Sequence, residues 1–145
     1  MADDFDLGDF LPYVLNRAAE ATSLGFARKY RDGYGMLRTE WRVLFHLGRY
    51  GALTARDICD RAGLHKTKVS RAVAALETKG FLARRIRDHD RRQETLSLTA
   101  RGRDTYADLA KAAKAYDAAL AARFTPEEEA ILRRCLGKLV AEPGA

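Results

Sequence analysis

The strongest constraint on the fold is one change of period along the chain. Up to Gly80 the apolar residues recur at helical spacing, and the breaks between segments carry helix-end chemistry. Directly after Gly80 come two short runs, Phe81-Leu82-Ala83-Arg84-Arg85-Ile86 and Thr95-Leu96-Ser97-Leu98, separated by a charged stretch from Arg87 to Glu94. Such runs read as the two strands of a hairpin with a long basic loop. Helical spacing resumes at Thr99. The expected fold is mainly α with a single small β-hairpin, in a chain of 145 residues that suits one domain.

The helical segments are placed by their ends. The first spans Asp9 to about Arg31, with Phe10, Val14, Ala18, Ala21 and Phe26 near helical spacing, and Asp32-Gly33-Tyr34-Gly35 breaks it. Thr39 with Glu40 opens a second, whose stripe is Trp41, Leu44, Phe45 and Leu47 and whose end is Gly51. Thr54 with Asp57 makes a capping box, hydroxyl and carboxylate satisfying free amides, for a short helix that stops at Gly63. A fourth runs from about Lys66 to Lys79 and closes at Gly80. A fifth follows Thr99, with Tyr106, Leu109, Ala113, Tyr116 and Leu120 on one side. The last starts at Thr125-Pro126, with Glu127, Glu128 and Glu129 at the positive end of the helix dipole. Its stripe is Ile131, Leu132, Cys135, Leu136 and Leu139.

The formal net charge of +6 is not spread along the chain. Residues 1–55 carry seven basic and seven acidic side chains, and residues 93–145 carry eight of each. Residues 56–92 carry eleven basic against five acidic, the whole imbalance of the protein. Such concentration points to a polyanion met by that segment, although a solvated charge run gives the same count.

Helical geometry narrows the choice. Two short helices joined by a tight glycine-containing turn, then a two-stranded ribbon, make a winged helix-turn-helix pattern. On the second of these helices Val69, Val73 and Leu76 share one face. The opposite face is Thr67, Arg71, Ala74 and Thr78, flanked by Lys68 and Ser70. Short hydroxyls, a small Ala and an Arg able to donate two bonds to guanine are what a major-groove helix needs. Lys66, near the helix start, can reach a phosphate. An ordinary solvated face would carry more Glu, and here only Glu77 appears. Arg87, Arg91 and Arg92 give the hairpin a basic tip able to enter a minor groove, with Asp88 and Asp90 ordering it by pairing with Arg91 or Arg92. Double-stranded DNA is the expected partner, contacted by Lys66, Thr67, Lys68, Ser70, Arg71, Arg87, Arg91 and Arg92.

Other classes find less support. No run approaches the roughly 18 apolar residues of a membrane span. Met1-Ala2-Asp3-Asp4 is acidic where a secretory signal is basic, so a cytoplasmic protein with no membrane partner is expected. Cys59 and Cys135 cannot make a disulfide framework or a four-ligand zinc site and are read as packing residues. His89 between Asp88 and Asp90 is metal-like, but three neighbours in a row rarely wrap one ion, so neither metal nor cofactor is expected. The chain has no Gly-x-Ser-x-Gly, no glycine-rich phosphate loop and no His-Glu-x-x-His, which argues against an enzyme. The remaining rival is a winged-helix protein-interaction module without sequence-specific DNA binding. Such a module has no need of cations at both Arg71 and Arg92.

Asp90-Arg91-Arg92-Gln93-Glu94-Thr95-Leu96-Ser97-Leu98-Thr99, followed by Gly102, fits a known wing pattern: Asp, any residue, Arg, five residues, Leu-Thr. Lys66-Thr67-Lys68-Val69-Ser70-Arg71, ending in Leu76-Glu77-Thr78-Lys79-Gly80-Phe81, looks like the matching recognition helix and its exit. On these residues the stretch from Trp41 to Gly102 resembles the MarR family of bacterial transcriptional regulators. The resemblance implies a homodimer in which the first helix and the last two interlock below two winged lobes. It implies a pseudo-palindromic operator with half-sites about one helical turn apart, Arg92 in the minor groove and Asp90 steadying it. The corresponding organisation is one MarR-like domain over residues 1–145. Its winged helix-turn-helix lobe is residues 38–99, and its helical dimerisation region is residues 1–34 and 100–145. The stripes at Phe5, Phe10, Val14 and at Ile131, Leu136, Leu139 exceed what one small lobe needs to cover, which supports a dimer independently. His65 departs from the family, which often has Asp or Ser at that cap, and no cysteine stands where the peroxide-sensing members keep theirs.

Many members release DNA when a small aromatic or anionic ligand fills a cleft between the dimer region and the winged lobe. Tyr13, Arg17, Tyr30, Tyr34, Trp41 and His46 are the candidates here, Arg17 pairing an anionic group and the aromatics enclosing a ring. Ordinary core packing is the plain alternative for the aromatics. The function expected is that of a sequence-specific repressor, acting as a homodimer and released by such a ligand.

Overall fold

The computed structural model describes residues 4–86 and 94–141. Packing divides the chain into two compact units, residues 1–110 and 111–145. In the first, a 3-10 turn (Leu7–Asp9) leads into α1 (Leu11–Tyr34) and α2 (Arg38–Tyr50). There follow β1 (Leu53–Thr54), α3 (Ala55–Ala62), α4 (Lys66–Thr78), β2 (Leu82–Ile86) and β3 (Glu94–Leu98). Helix α5 (Ala100–Ala121) begins in the first unit and ends in the second, which also contains α6 (Pro126–Val140).

The fold is mainly helical with a small antiparallel sheet, as the change of period predicts, but the sheet has three strands in the order β1-β3-β2. The sequence reading misses β1. Two residues are too short for a period, and Thr54 is already read as a helix cap; it pairs with Thr95 while Leu53 pairs with Leu96. Two helix ends also differ. α1 continues through Asp32 and Gly33 to Tyr34, and only Gly35, in the left-handed region at φ 64°, ends it. α2 begins at Arg38, one residue before Thr39, because the Glu40 carboxylate accepts from the Leu37 N–H at 3.1 Å.

The core of the first unit draws one face from each element. Val43, Leu44 and Leu47 of α2 are buried with Ile58 of α3, with Val69, Ala72, Val73 and Leu76 of α4, and with Leu82, Leu96 and Leu98 of the sheet. Phe81, fully buried, sits where α4 gives way to β2. Its carbonyl decides the residue at position 102: a Cβ there would lie 2.0 Å from that oxygen, so only glycine allows α5 to pass. Thr99 fixes the same junction. Its hydroxyl donates to the Gly80 carbonyl at 2.7 Å and accepts from the Gly102 N–H at 3.0 Å, capping α5.

In the second unit Thr125 caps α6, its hydroxyl accepting from the Glu128 N–H at 3.1 Å while the Glu128 carboxylate accepts from the Thr125 N–H at 2.9 Å. Arg133 bridges Asp117 of α5 and Glu129 of α6 at 3.1 and 3.3 Å. No residue of α6 is buried, and Ile131, Leu132, Leu136 and Leu139 are exposed. The beginning of the chain shows the same character in Phe5, Phe10, Leu11 and Val14.

Candidate nucleic-acid interface

The basic segment folds into two helices and a turn, each held by local chemistry. Thr54 and Asp57 cap α3 reciprocally, the Thr54 N–H donating to the Asp57 carboxylate and the Asp57 N–H to the Thr54 hydroxyl, each at 3.1 Å. Hydrogen bonding of the Asp57 carboxyl to Thr54, first its backbone and then its side chain, holds it below the usual carboxylate range. Gly63 ends α3 at φ 64°, a backbone conformation that only glycine adopts freely, and so makes the turn tight. α4 then starts from His65, whose Nδ1 accepts from the Thr67 N–H at 3.2 Å. His65 is thus the helix cap itself, in place of the Asp or Ser common in the resembled family.

α4 is two-faced. Val69, Ala72, Val73 and Leu76 are buried, whereas Lys66, Thr67, Lys68, Ser70, Arg71, Ala74 and Thr78 are all exposed. Lys66, Lys68 and Arg71 form no ion pair with any of the described residues. The cations just beyond them are bound. Lys79, at the end of α4, reaches the carboxylate of buried Glu40 at 2.6 Å and the Gly35 carbonyl at 2.8 Å. Arg84 of β2 donates to Glu77 of α4 at 3.1 Å and to Glu94 of β3 at 3.2 Å. Glu77, the one acid near the basic face, is therefore occupied by Arg84. Sequence reading missed both arrangements, because Glu40 looks like a first-turn acid and Lys79 like an ordinary helix-end cation; only the fold brings them together. Arg87, Asp90, Arg91 and Arg92, with Asp88 and His89, lie outside the described residues.

A helix with one exposed face, on which Lys66, Lys68 and Arg71 are unpaired among the described residues, followed by a ribbon anchored to it, has close parallels. Residues 34–93 match the MarR family model. The MarR/EmrR family transcriptional regulator of Acinetobacter sp. ADP1 superposes with a TM-score of 0.83 at 27% identity, over 93% of this chain and 95% of that one. The winged-helix segment is thus similar to the MarR family, and the likeness to that solved regulator runs over nearly the whole chain. Like the regulators it resembles, it has the winged-helix fold of a DNA-binding transcriptional regulator. The uncharacterised HTH-type transcriptional regulator YwaE of Bacillus subtilis is 27% identical over 86% of this chain and 73% of its own length. BpsR of Bordetella bronchiseptica, whose DNA binding is regulated by 6-hydroxynicotinic acid, shares the fold at a TM-score of 0.84 and 18% identity, over 97% of this chain and 99% of its own.

The effector candidates fall into two groups. Tyr30 is buried, its ring 5.7 Å from Phe26 and 5.6 Å from Trp41, and Trp41 in turn lies 5.0 Å from Phe45. The Tyr34 hydroxyl is hydrogen-bonded to Asp108, which raises its pKa above the ordinary phenol value. The Nδ1 of His46 lies 2.7 Å from the Arg42 carbonyl. Tyr13 and Arg17 stand apart on the exposed first half of α1; thirteen or more residues of helix separate them from Tyr30, about 20 Å at 1.5 Å per residue. One chain alone does not bring the set together. Sequence reading also passed over Arg42, half-buried on α2, whose guanidinium pKa is lowered by burial and then by the charge of Arg38.

Cys59 is half-buried, while Cys135 is exposed and so does not pack within this chain. Among the described residues no group of three His, Cys, Asp or Glu could hold a metal ion, and no helix is long and apolar enough to cross a membrane.

Proposed function

We propose that this regulator is a repressor that binds a pseudo-palindromic operator as a homodimer. The observation that carries the DNA reading is the row Lys66, Lys68 and Arg71 on the exposed face of α4, cations without a carboxylate partner among the described residues. Arg71 reads base edges in the major groove, with Thr67 and Ser70 beside it, while Lys66 and Lys68 meet phosphate. Arg87, Arg91 and Arg92 extend the footprint into the flanking minor groove, with Asp90 holding Arg92 in place. Residues 38–99 form the reading lobe, and residues 1–34 and 100–145 the dimer region. The exposed stripes of α1 and α6 support the second copy, since faces of that size cover one another in a two-fold assembly.

A small aromatic or anionic ligand releases the operator. The fold shared with BpsR, which answers to an aromatic acid, supports this. Tyr13 and Arg17 then enclose the ligand with Tyr34, Trp41 and His46 only where two chains meet. Such a ligand acts by preferring a dimer whose recognition helices are wrongly spaced. Electrophoretic mobility shifts on the DNA upstream of the protein's own coding region test the proposal. A sequence-selective, salt-sensitive shift is expected, and folded dimer that gives no selective shift at low salt would contradict it.

A further inference from the structure

The β2–β3 ribbon is attached to the rest of its unit by one face, and that face changes chemistry along its length. Leu82, Arg84 and Ile86 of β2 pair in register with Leu98, Leu96 and Glu94 of β3, so these six side chains lie on the same side of the sheet. Leu82, Leu98 and Leu96 are buried in the core. One step further out the apolar contact stops: Ile86 is 63% exposed, and a gap of about 160 Å³ opens between ribbon and helix, bordered by Ala55, Ser70, Val73, Arg84, Glu94 and Leu96. The Arg84 guanidinium crosses that level, with Nε on Glu77 of α4 and Nη1 on Glu94 of β3.

We propose that Arg84 is the positioning residue of the wing, fixing the angle at which the β2–β3 ribbon leaves α4. Partly exposed ion pairs contribute little to stability, so the value of this one is geometric. A planar guanidinium engaging one carboxylate on each element tolerates little rotation of ribbon against helix, which a flexible lysine would allow. The consequence is a ruler. A lobe so braced reads a major groove and its neighbouring minor groove at one fixed spacing. An unbraced lobe would accept several. The inference rests on the proposal that both elements contact DNA.

The test uses the full-length protein and duplexes selected from a random pool by the wild type, then remade with one base pair added or removed between the protected guanines and the flank. The wild type should prefer the original spacing by roughly tenfold, the cost of one poorly matched position. Arg84→Met, which keeps the apolar stem, should bring that preference close to one while guanine N7 protection by α4 persists. Arg84→Lys should restore it only in part. Glu77→Gln supplies a second variant from the other side of the contact and should relax spacing in the same way. Unchanged spacing preference in folded Arg84→Met and Glu77→Gln would overturn the positioning role. A wild type that is itself indifferent to spacing, with no protection of the flank, would overturn the two-groove reading on which it rests.

Discussion

Helices α4 and α6 have 13 and 15 residues, and each carries an apolar stripe at three- and four-residue spacing. Val69, Ala72, Val73 and Leu76 of α4 are at most 2% exposed, whereas Ile131, Leu132, Leu136 and Leu139 of α6 are 40–54% exposed. The period shows that a helix has an apolar face, not which surface covers it. α4 finds its cover in α2, α3 and β2 of its own unit, and this leaves its polar face free for DNA. For α6 the dimer proposal supplies the cover from a second copy. On that proposal the two helices divide the work: one presents cations, the other joins two such lobes.

The contrast can be broken at either helix. The largest effect is expected from Leu132→Lys combined with Leu136→Lys, which should weaken the dimer by more than about a thousandfold in sedimentation equilibrium, since two apolar side chains give way to charges. Helical content should be kept, and an undisturbed dimer would show that α6 serves some other surface. Leu76→Ala should instead lose about 3 kcal/mol of unfolding free energy in urea and leave the monomer–dimer equilibrium alone. Lys79→Met removes the partner of buried Glu40 and should cost about 2 kcal/mol in the same assay, with Glu40→Gln added in the same chain recovering most of it. The smallest effect is on the exposed face of α4, where Arg71→Ala should cost roughly 1–2 kcal/mol of operator binding and relax discrimination at one base position per half-site. Equal loss on random DNA would make Arg71 a phosphate contact.

Most of the fold was legible because its signals are local. The capping pairs Thr54–Asp57 and Thr125–Glu128 form as their spacing requires, and Val69, Val73 and Leu76 are buried as their period requires. What escaped is made by residues distant in sequence. Strand β1 exists only because Leu53 meets Leu96, and the partner of Lys79 lies 39 residues earlier, at Glu40. Glu77 could be seen as an acid near a basic face, but its pairing with Arg84 depends on where the ribbon emerges. The exposed row on α4 was legible as a face, and that it has no carboxylate partner among the described residues became visible only in the fold. Tyr30 shows the opposite case, an aromatic that suggested a ligand and is found buried against Phe26.

The central claim, two braced lobes reading one duplex, is tested most directly by sedimentation of the wild-type complex with a selected duplex, combined with guanine N7 protection on the same DNA. The account predicts two chains per duplex and two protected guanine sets related by two-fold symmetry, with centres about one helical turn apart. One chain per duplex, or binding no tighter than to random sequence at the same salt, would contradict it.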